Sequence, residues 1–181
     1  MIRVAVLTIS DSCAQGKRQD VSGQTIKDML VSPRVFLSKT RAGGSRRKAS
    51  CGLPEDKFEI CEERTIPDNH ETIANELKYL SDKAGVDMVL TSGGTGLGPR
   101  DVTPEATASV CERIVPGLSE ILRAEGFSRS RNAVLSRGVA GIRGNTLIIN
   151  LPGSPKAVRE CLEIILDILP HAVEMMRGGG H

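Results

Sequence analysis

The chain has 181 residues, of which 39% are apolar and 25% charged, and it carries a net charge of +2. Those values suit one soluble globular domain with room for a full core, and no apolar run is long enough to span a bilayer, since residues 164–169 are few and interrupted by Asp167. The five cysteines are odd in number, dispersed and never in a Cys-x-x-Cys pattern, and the three histidines are not at ligand spacing, which excludes a disulfide frame and a zinc or histidine metal site.

Residues 1–7 read as a strand rather than a signal peptide, so the expected location is the cytoplasm. The first strand covers 2–9. Ser22 is a candidate N-cap for a short helix reaching about Leu30. Residues 32–54 then hold Arg34, Lys39, Arg41, Arg46, Arg47 and Lys48 with no acidic residue; taking those six charges from the net +2 leaves −4 elsewhere. The segment reads as an inserted mobile loop, serving as a basic flap for an anionic ligand, as a nucleic-acid contact, or as no more than a solvated insertion. With one Tyr, three Phe and no Trp, the chain has little to stack on bases, which argues against a nucleic-acid partner.

A second strand is expected at 57–66, followed after Asp68 and Asn69 by a helix that puts Ile73, Leu77 and Leu80 on one face. The third strand covers 86–91. Beyond the glycine-rich loop, Thr103 is a candidate cap and Pro104 the first helical position. Pro116 and Gly117 end that helix and open another, which Gly126 stops. Residues 139–142 and 146–150 flank Arg143, Gly144 and Asn145 as a hairpin. From Pro155 a long amphipathic helix runs to an interruption at Pro170. Alternating strands and helices imply an α/β fold of three layers, a mostly parallel sheet with helices on both faces, in one domain spanning 1–181.

In such sheets ligands bind beyond the carboxyl ends of the strands. The residues there suit a polyanion. Four glycines occur between Gly93 and Gly98, and loop amides of that kind close around phosphate. Pro152, Gly153 and Ser154 make a second turn into a helix N-terminus. Asp11, Asp68 and Asp101 would repel a bare phosphate, and fit if a divalent cation bridges them to it; hard oxygen ligands with phosphate suit magnesium. Each has a plainer reading: Asp68 as a helix cap, Asp11 as turn chemistry, Gly153 as a sharp turn. The loop matches neither a Walker A sequence nor Gly-x-Gly-x-x-Gly.

Residues 91–96, with Pro99, Arg100, Asp101, Val102, Thr103, Pro104, Glu105 and Ala106, resemble signatures of the MogA/MoaB group, as do residues 151–155. The gephyrin G domain belongs to that group. The similarity extends through residues 4–11, Ser22, Pro67, Asp68, Pro116, Ser136, Arg137 and residues 141–144, and skips the basic insertion, where the group has a short connection. It implies molybdopterin adenylyltransferase activity in molybdenum-cofactor biosynthesis, with AMP passing from magnesium-ATP to molybdopterin and pyrophosphate leaving. It further implies that Asp68 and Asp101 hold magnesium and orient the reactants. Gly93, Gly94, Thr95 and Gly96 would cradle phosphate, and Pro152, Gly153 and Ser154 would shape the nucleotide side. Ser10, Asp11, Ser136 and Arg137 would lie on the rim. A homotrimer or hexamer and a downstream molybdenum-insertion enzyme go with the resemblance. The alternative within the same group is a non-catalytic molybdopterin-binding or scaffolding protein.

Overall fold

The structure, a computed structural model, describes residues 1–31 and 57–179. The basic segment 32–54 and the flap expected of it lie outside the described residues. In chain order the elements are β1 (Ile2–Ile9), α1 (Asp11–Ala14), α2 (Val21–Val31), β2 (Phe58–Ile66), α3 (His70–Asp82), β3 (Met88–Ser92), α4 (Thr103–Val110), β4 (Arg113–Ile114), α5 (Pro116–Arg129), a 3-10 turn (Arg131–Leu135), β5 (Ala140–Arg143), β6 (Thr146–Leu151), α6 (Pro155–Ile165) and α7 (Leu169–Met176). Among the described residues, no helix is long and apolar enough to cross a membrane.

The strands form one sheet in the order β2-β1-β3-β6-β5-β4. The first four run parallel; β5 pairs antiparallel with β6, and β4 antiparallel with β5. Successive side chains of a strand point to opposite faces, and β1 shows the result. Ile2, Val4 and Val6 join a core with Met29, Leu90, Ile149 and Leu162, whereas Leu7 and Ile9 join another with Ile73, Leu77 and Ile148. Helices α2, α5, α6 and α7 cover the first face, and α3 and α4 the second. The expected three-layer, mostly parallel α/β architecture is what the chain adopts.

Several boundaries differ from expectation for identifiable reasons. Ser22 lies inside α2 rather than at its cap. Asp20 does the capping, with Oδ1 accepting from Gly23 N at 2.8 Å, and Ser22 Oγ instead donates to Gly153 O at 2.7 Å. Thr103 is likewise within α4; Val102 occupies the cap position and supplies no side-chain bond. Asn69, not Asp68, caps α3 by accepting from Thr72 N at 3.0 Å. The third strand starts at Met88 because Asp87 turns toward β1, accepting from Arg3 N at 2.8 Å and donating to Arg3 O at 2.9 Å. The two-residue edge strand β4 separates α4 from α5. Gly126 does not stop α5: a Cβ there would lie 2.9 Å from Ala133 Cβ, so the glycine serves close packing of the 3-10 turn. The break before α7 falls ahead of Pro170, which sits in that helix's first turn.

One buried side chain ties the sheet to its second face. Asn150 Nδ2 donates to Thr91 Oγ1 at 3.1 Å and to Thr107 Oγ1 at 2.9 Å, and its Oδ1 accepts from Val139 N at 3.2 Å. It links β6 to β3, to α4 and to the entry of β5. A satisfied polar network of this kind rigidifies a core, and a half-satisfied one is costly. Asn150→Ala is expected to lower unfolding stability by about 2 kcal/mol, read from the urea midpoint.

Candidate functional site

β1 leads left in the sheet to β2, while β3 leads right toward β6, so the chain switches direction between neighbouring strands β1 and β3. Crevices in open parallel sheets form at such a point. Gly93 follows β3 with φ +107°, and its N donates to Leu151 O at 3.2 Å. A Cβ on Gly93 would lie 2.2 Å from Ile9 O, so the loop passes against the end of β1 where no side chain fits. Ser92 Oγ donates to Pro152 O at 3.0 Å, and Gly153 packs so closely that a Cβ there would meet Gly93 Cα at 3.4 Å. The turns after β1, β3 and β6 are thereby fastened to one another.

Asp11 and Asp68 exchange backbone bonds: Asp11 N donates to Asp68 Oδ2 at 2.8 Å, and Asp68 N donates to Asp11 Oδ1 at 3.1 Å. Arg100 Nη2 lies 2.6 Å from Asp11 Oδ2, so its charge is spent on that carboxylate. Burial pushes the Asp68 carboxyl above the ordinary aspartate value; the bond from Asp11 N opposes the shift, and the negative charges of Asp11 and Asp101 add to it. Asp101 Oδ2 accepts from Gly98 N at 2.8 Å, closing a short turn. Among the described residues, Oδ1 of Asp68 and Oδ1 of Asp101 accept no hydrogen bond.

Arg137 holds the loop from behind. Its N donates to Thr95 O at 2.9 Å and its Nε to Gly96 O at 2.7 Å; Nη2 donates to Asp101 O, and Nη1 pairs with Glu105. One guanidinium therefore spans the glycine loop and the start of α4. Its five donors in a fixed fork suit that task.

Two cavities meet along this loop. A polar cleft of about 430 Å³ is lined by Ser10, Asp68, Gly93, Gly94, Asp101, Gly153 and Ser154. Thr8, Arg18, Asp20 and Ser22 also line it. Arg18 and Asp20 lie in the irregular stretch between α1 and α2, where no periodicity or motif marks them. A larger and less polar cavity of about 520 Å³ lies beyond Thr95, Gly96, Ser136, Pro152 and Ser154, with Leu97, Leu122, Leu135, Ala157 and Ile164 in its walls. Ser154 borders both and caps α6, accepting from Ala157 N at 3.2 Å. Of the residues singled out in the sequence, Asp11 and Arg137 line neither space; Asp11 is bonded to Asp68 and Arg137 to the loop. The hydrophobic cavity had no sequence motif, because α5, the 3-10 turn and α6 each supply only part of its wall. Cys161 borders it as a thiol that burial raises to about 12.

The family model described as "Probable molybdopterin binding domain" matches residues 5–171. The chain is 36% identical to a molybdopterin adenylyltransferase of Helicobacter pylori, over 98% of this chain and 89% of that protein. It is 39% identical, over 97% of its length, to the molybdenum cofactor synthesis protein cinnamon of Drosophila melanogaster, of which it spans only 26%. In three dimensions it is similar to the crystal structure of the molybdopterin biosynthesis enzyme MoaB of Thermus thermophilus, with a TM-score of 0.80, 44% identity and 98% of each chain covered. A MogA structure is similar as well, with a TM-score of 0.77 and 33% identity, and with the family model matched over residues 5–171 the chain belongs to the molybdopterin-binding domain family.

Proposed function

We propose that the chain is a molybdopterin adenylyltransferase, a nucleotidyltransferase that moves AMP from magnesium-ATP to molybdopterin. The observation that carries this reading is the meeting of Asp68, Asp101 and the Gly93–Gly94 loop in one polar cleft that adjoins a larger apolar cavity. A cleft of that size and polarity suits phosphates, and the adjoining space suits a flat ring system. Relatives named as molybdopterin adenylyltransferases support the same assignment.

In the proposed reaction a terminal phosphate oxygen of molybdopterin attacks the α-phosphorus of ATP. The bond from that phosphorus to the bridging oxygen of the β-phosphate breaks, and pyrophosphate leaves with the electron pair. Such a transfer depends on position and charge neutralisation rather than on an activated side-chain nucleophile. The loop after β3 would present amides to the phosphates, and Arg18 brings a cation to the rim of the cleft. Arg137 would keep the loop in shape, and Pro152, Gly153 and Ser154 would separate the phosphate and ring sides.

Magnesium fits the residues present. Among the described residues no group of three or more His, Cys, Asp or Glu is arranged as a metal cage, and magnesium is ordinarily held by one or two carboxylates together with substrate phosphates. Asp68 and Asp101 offer two unengaged Oδ1 atoms, and the like-charge crowding felt by Asp68 is what a cation would relieve. When bound, it would neutralise charge on the phosphates and on the leaving pyrophosphate. A homotrimer that hands its product to a molybdenum-insertion enzyme accords with this function.

Purified protein incubated with magnesium-ATP is expected to release pyrophosphate only when molybdopterin is added. ATP hydrolysis that ignores molybdopterin, or no release at all, would remove the proposal.

A further inference from the structure

Thr103 is fully buried, yet its Oγ1 is without a hydrogen-bond partner among the described residues. Its backbone N donates to Gly94 O at 3.1 Å, so the residue is fastened to the glycine loop and its hydroxyl faces that loop's Cα. Gly94 has φ +63°. If it bore a Cβ, the three nearest heavy atoms would be Thr103 Oγ1 at 2.3 Å, Asp68 Oδ1 at 3.1 Å and Thr103 Cβ at 3.3 Å. The position left empty by the missing side chain is therefore bordered by both a hydroxyl and a carboxylate oxygen.

Buried polar groups are almost always paired, and an exception in a native site calls for a physical explanation. Bulk water does not reach Thr103 Oγ1, so its partner has to come from the chain or from a ligand in the cleft. Asp68 Oδ1 is the acceptor that borders the same point and is itself unengaged. Both oxygens lie within 3.1 Å of one point, and the terminal torsion of an aspartate is broad, which leaves the carboxylate free to turn to the hydroxyl. We propose that Thr103 is a positioning residue, whose hydroxyl donates beside Gly94 to Asp68 Oδ1 and fixes the Asp68 carboxylate for the cation that would meet the phosphates. The role rests on the proposed adenylyl transfer. It makes sense of a glycine at 94 beyond backbone freedom, because any Cβ would collide with the Thr103 hydroxyl and crowd Asp68 Oδ1.

The test compares Thr103→Val, which keeps the shape and removes the hydroxyl, with Thr103→Ser, which keeps the hydroxyl. The valine variant is expected to lose about tenfold or more in kcat with KM nearly unchanged, while the serine variant retains most of the wild-type kcat. An unchanged kcat in the valine variant overturns the proposal, as does an equal loss in the serine variant. A second measurement needs no turnover: the shift in urea midpoint caused by Thr103→Val is determined in the wild-type and in the Asp68→Asn background. Different shifts support a coupling between the two side chains, and identical shifts overturn it. If wild type makes no adenylylated product but the shifts differ, the adenylyltransferase reading falls while the pairing of Thr103 with Asp68 stands.

Discussion

Asp68→Asn is expected to lower adenylyl transfer by about 10²–10³-fold, a loss on the order of that seen when one electrostatic contributor to a transition state is removed, here a carboxylate proposed to hold the cation, and at the same time to make the protein harder to unfold at neutral pH. The two effects have one origin. Asp68 is partly buried beside Asp11 and Asp101, and its carboxyl is raised above the ordinary aspartate value, burial being the largest cause. A carboxyl with a raised folded-state pKa binds its proton more tightly in the folded chain than in the unfolded one. Stability is then lost as pH rises from the unfolded aspartate value through the folded one, and stays lost above it. Asparagine removes that loss, and its amide oxygen can still accept from Asp11 N. In urea titrations without divalent cations, the variant should have the higher midpoint at pH 7, with the difference vanishing as pH falls below the ordinary aspartate range. A variant less stable than wild type at pH 7 would show that Asp68 serves the fold rather than the cleft.

Gly93→Ala is expected to be the most damaging single change in the loop. The residue stands at φ +107°, far from where a side chain is tolerated, and its Cβ would lie 2.2 Å from the carbonyl oxygen of Ile9. That oxygen belongs to the backbone of a central strand and cannot swing aside. Strain and overpacking together are expected to cost about 3 kcal/mol or more. The same displacement would part the loop from Leu151 and Ile9 and move the amides proposed to meet the phosphates. The thermal midpoint should fall sharply, and activity should be lost even at temperatures where the variant remains folded. Gly144→Ala is the matched control. Gly144 also has positive φ, at +54°, but a Cβ there meets nothing within 4 Å, so only the backbone strain remains.

Much of this was legible in the chain because it rests on local chemistry. The apolar run of β1, the face formed by Ile73, Leu77 and Leu80 and the hairpin turn at Gly144 are all local pattern or turn signals, and each lies where such signals predict. The polar cleft was legible for a related reason. In a parallel sheet the segments after successive strands converge, so Ser10, Asp68, Gly93 and Gly153 had to approach one another once the strands were recognised. What escaped was decided by distant partners. Ser22 looks like a cap until Gly153 O takes its hydroxyl, and Thr103 looks like a cap until its side chain turns inward against Gly94. Gly126 reads as a helix stop, and only the packing of Ala133 explains why the helix continues through it. Arg137 carries no local mark of its task, since the carbonyls it holds lie about forty residues earlier in the chain.

Transfer of AMP to molybdopterin in the cleft between β1 and β3 is proposed to depend on Asp68, Asp101 and the glycine loop. Its most direct measurement follows the label from ATP carrying a radioactive α-phosphate, incubated with magnesium, molybdopterin and the wild-type protein or Asp101→Asn. The label is expected on molybdopterin with wild-type protein and is expected to fall to a trace with the variant. Label that stays on ATP with wild-type protein, or that moves equally well with Asp101→Asn, would contradict the proposal.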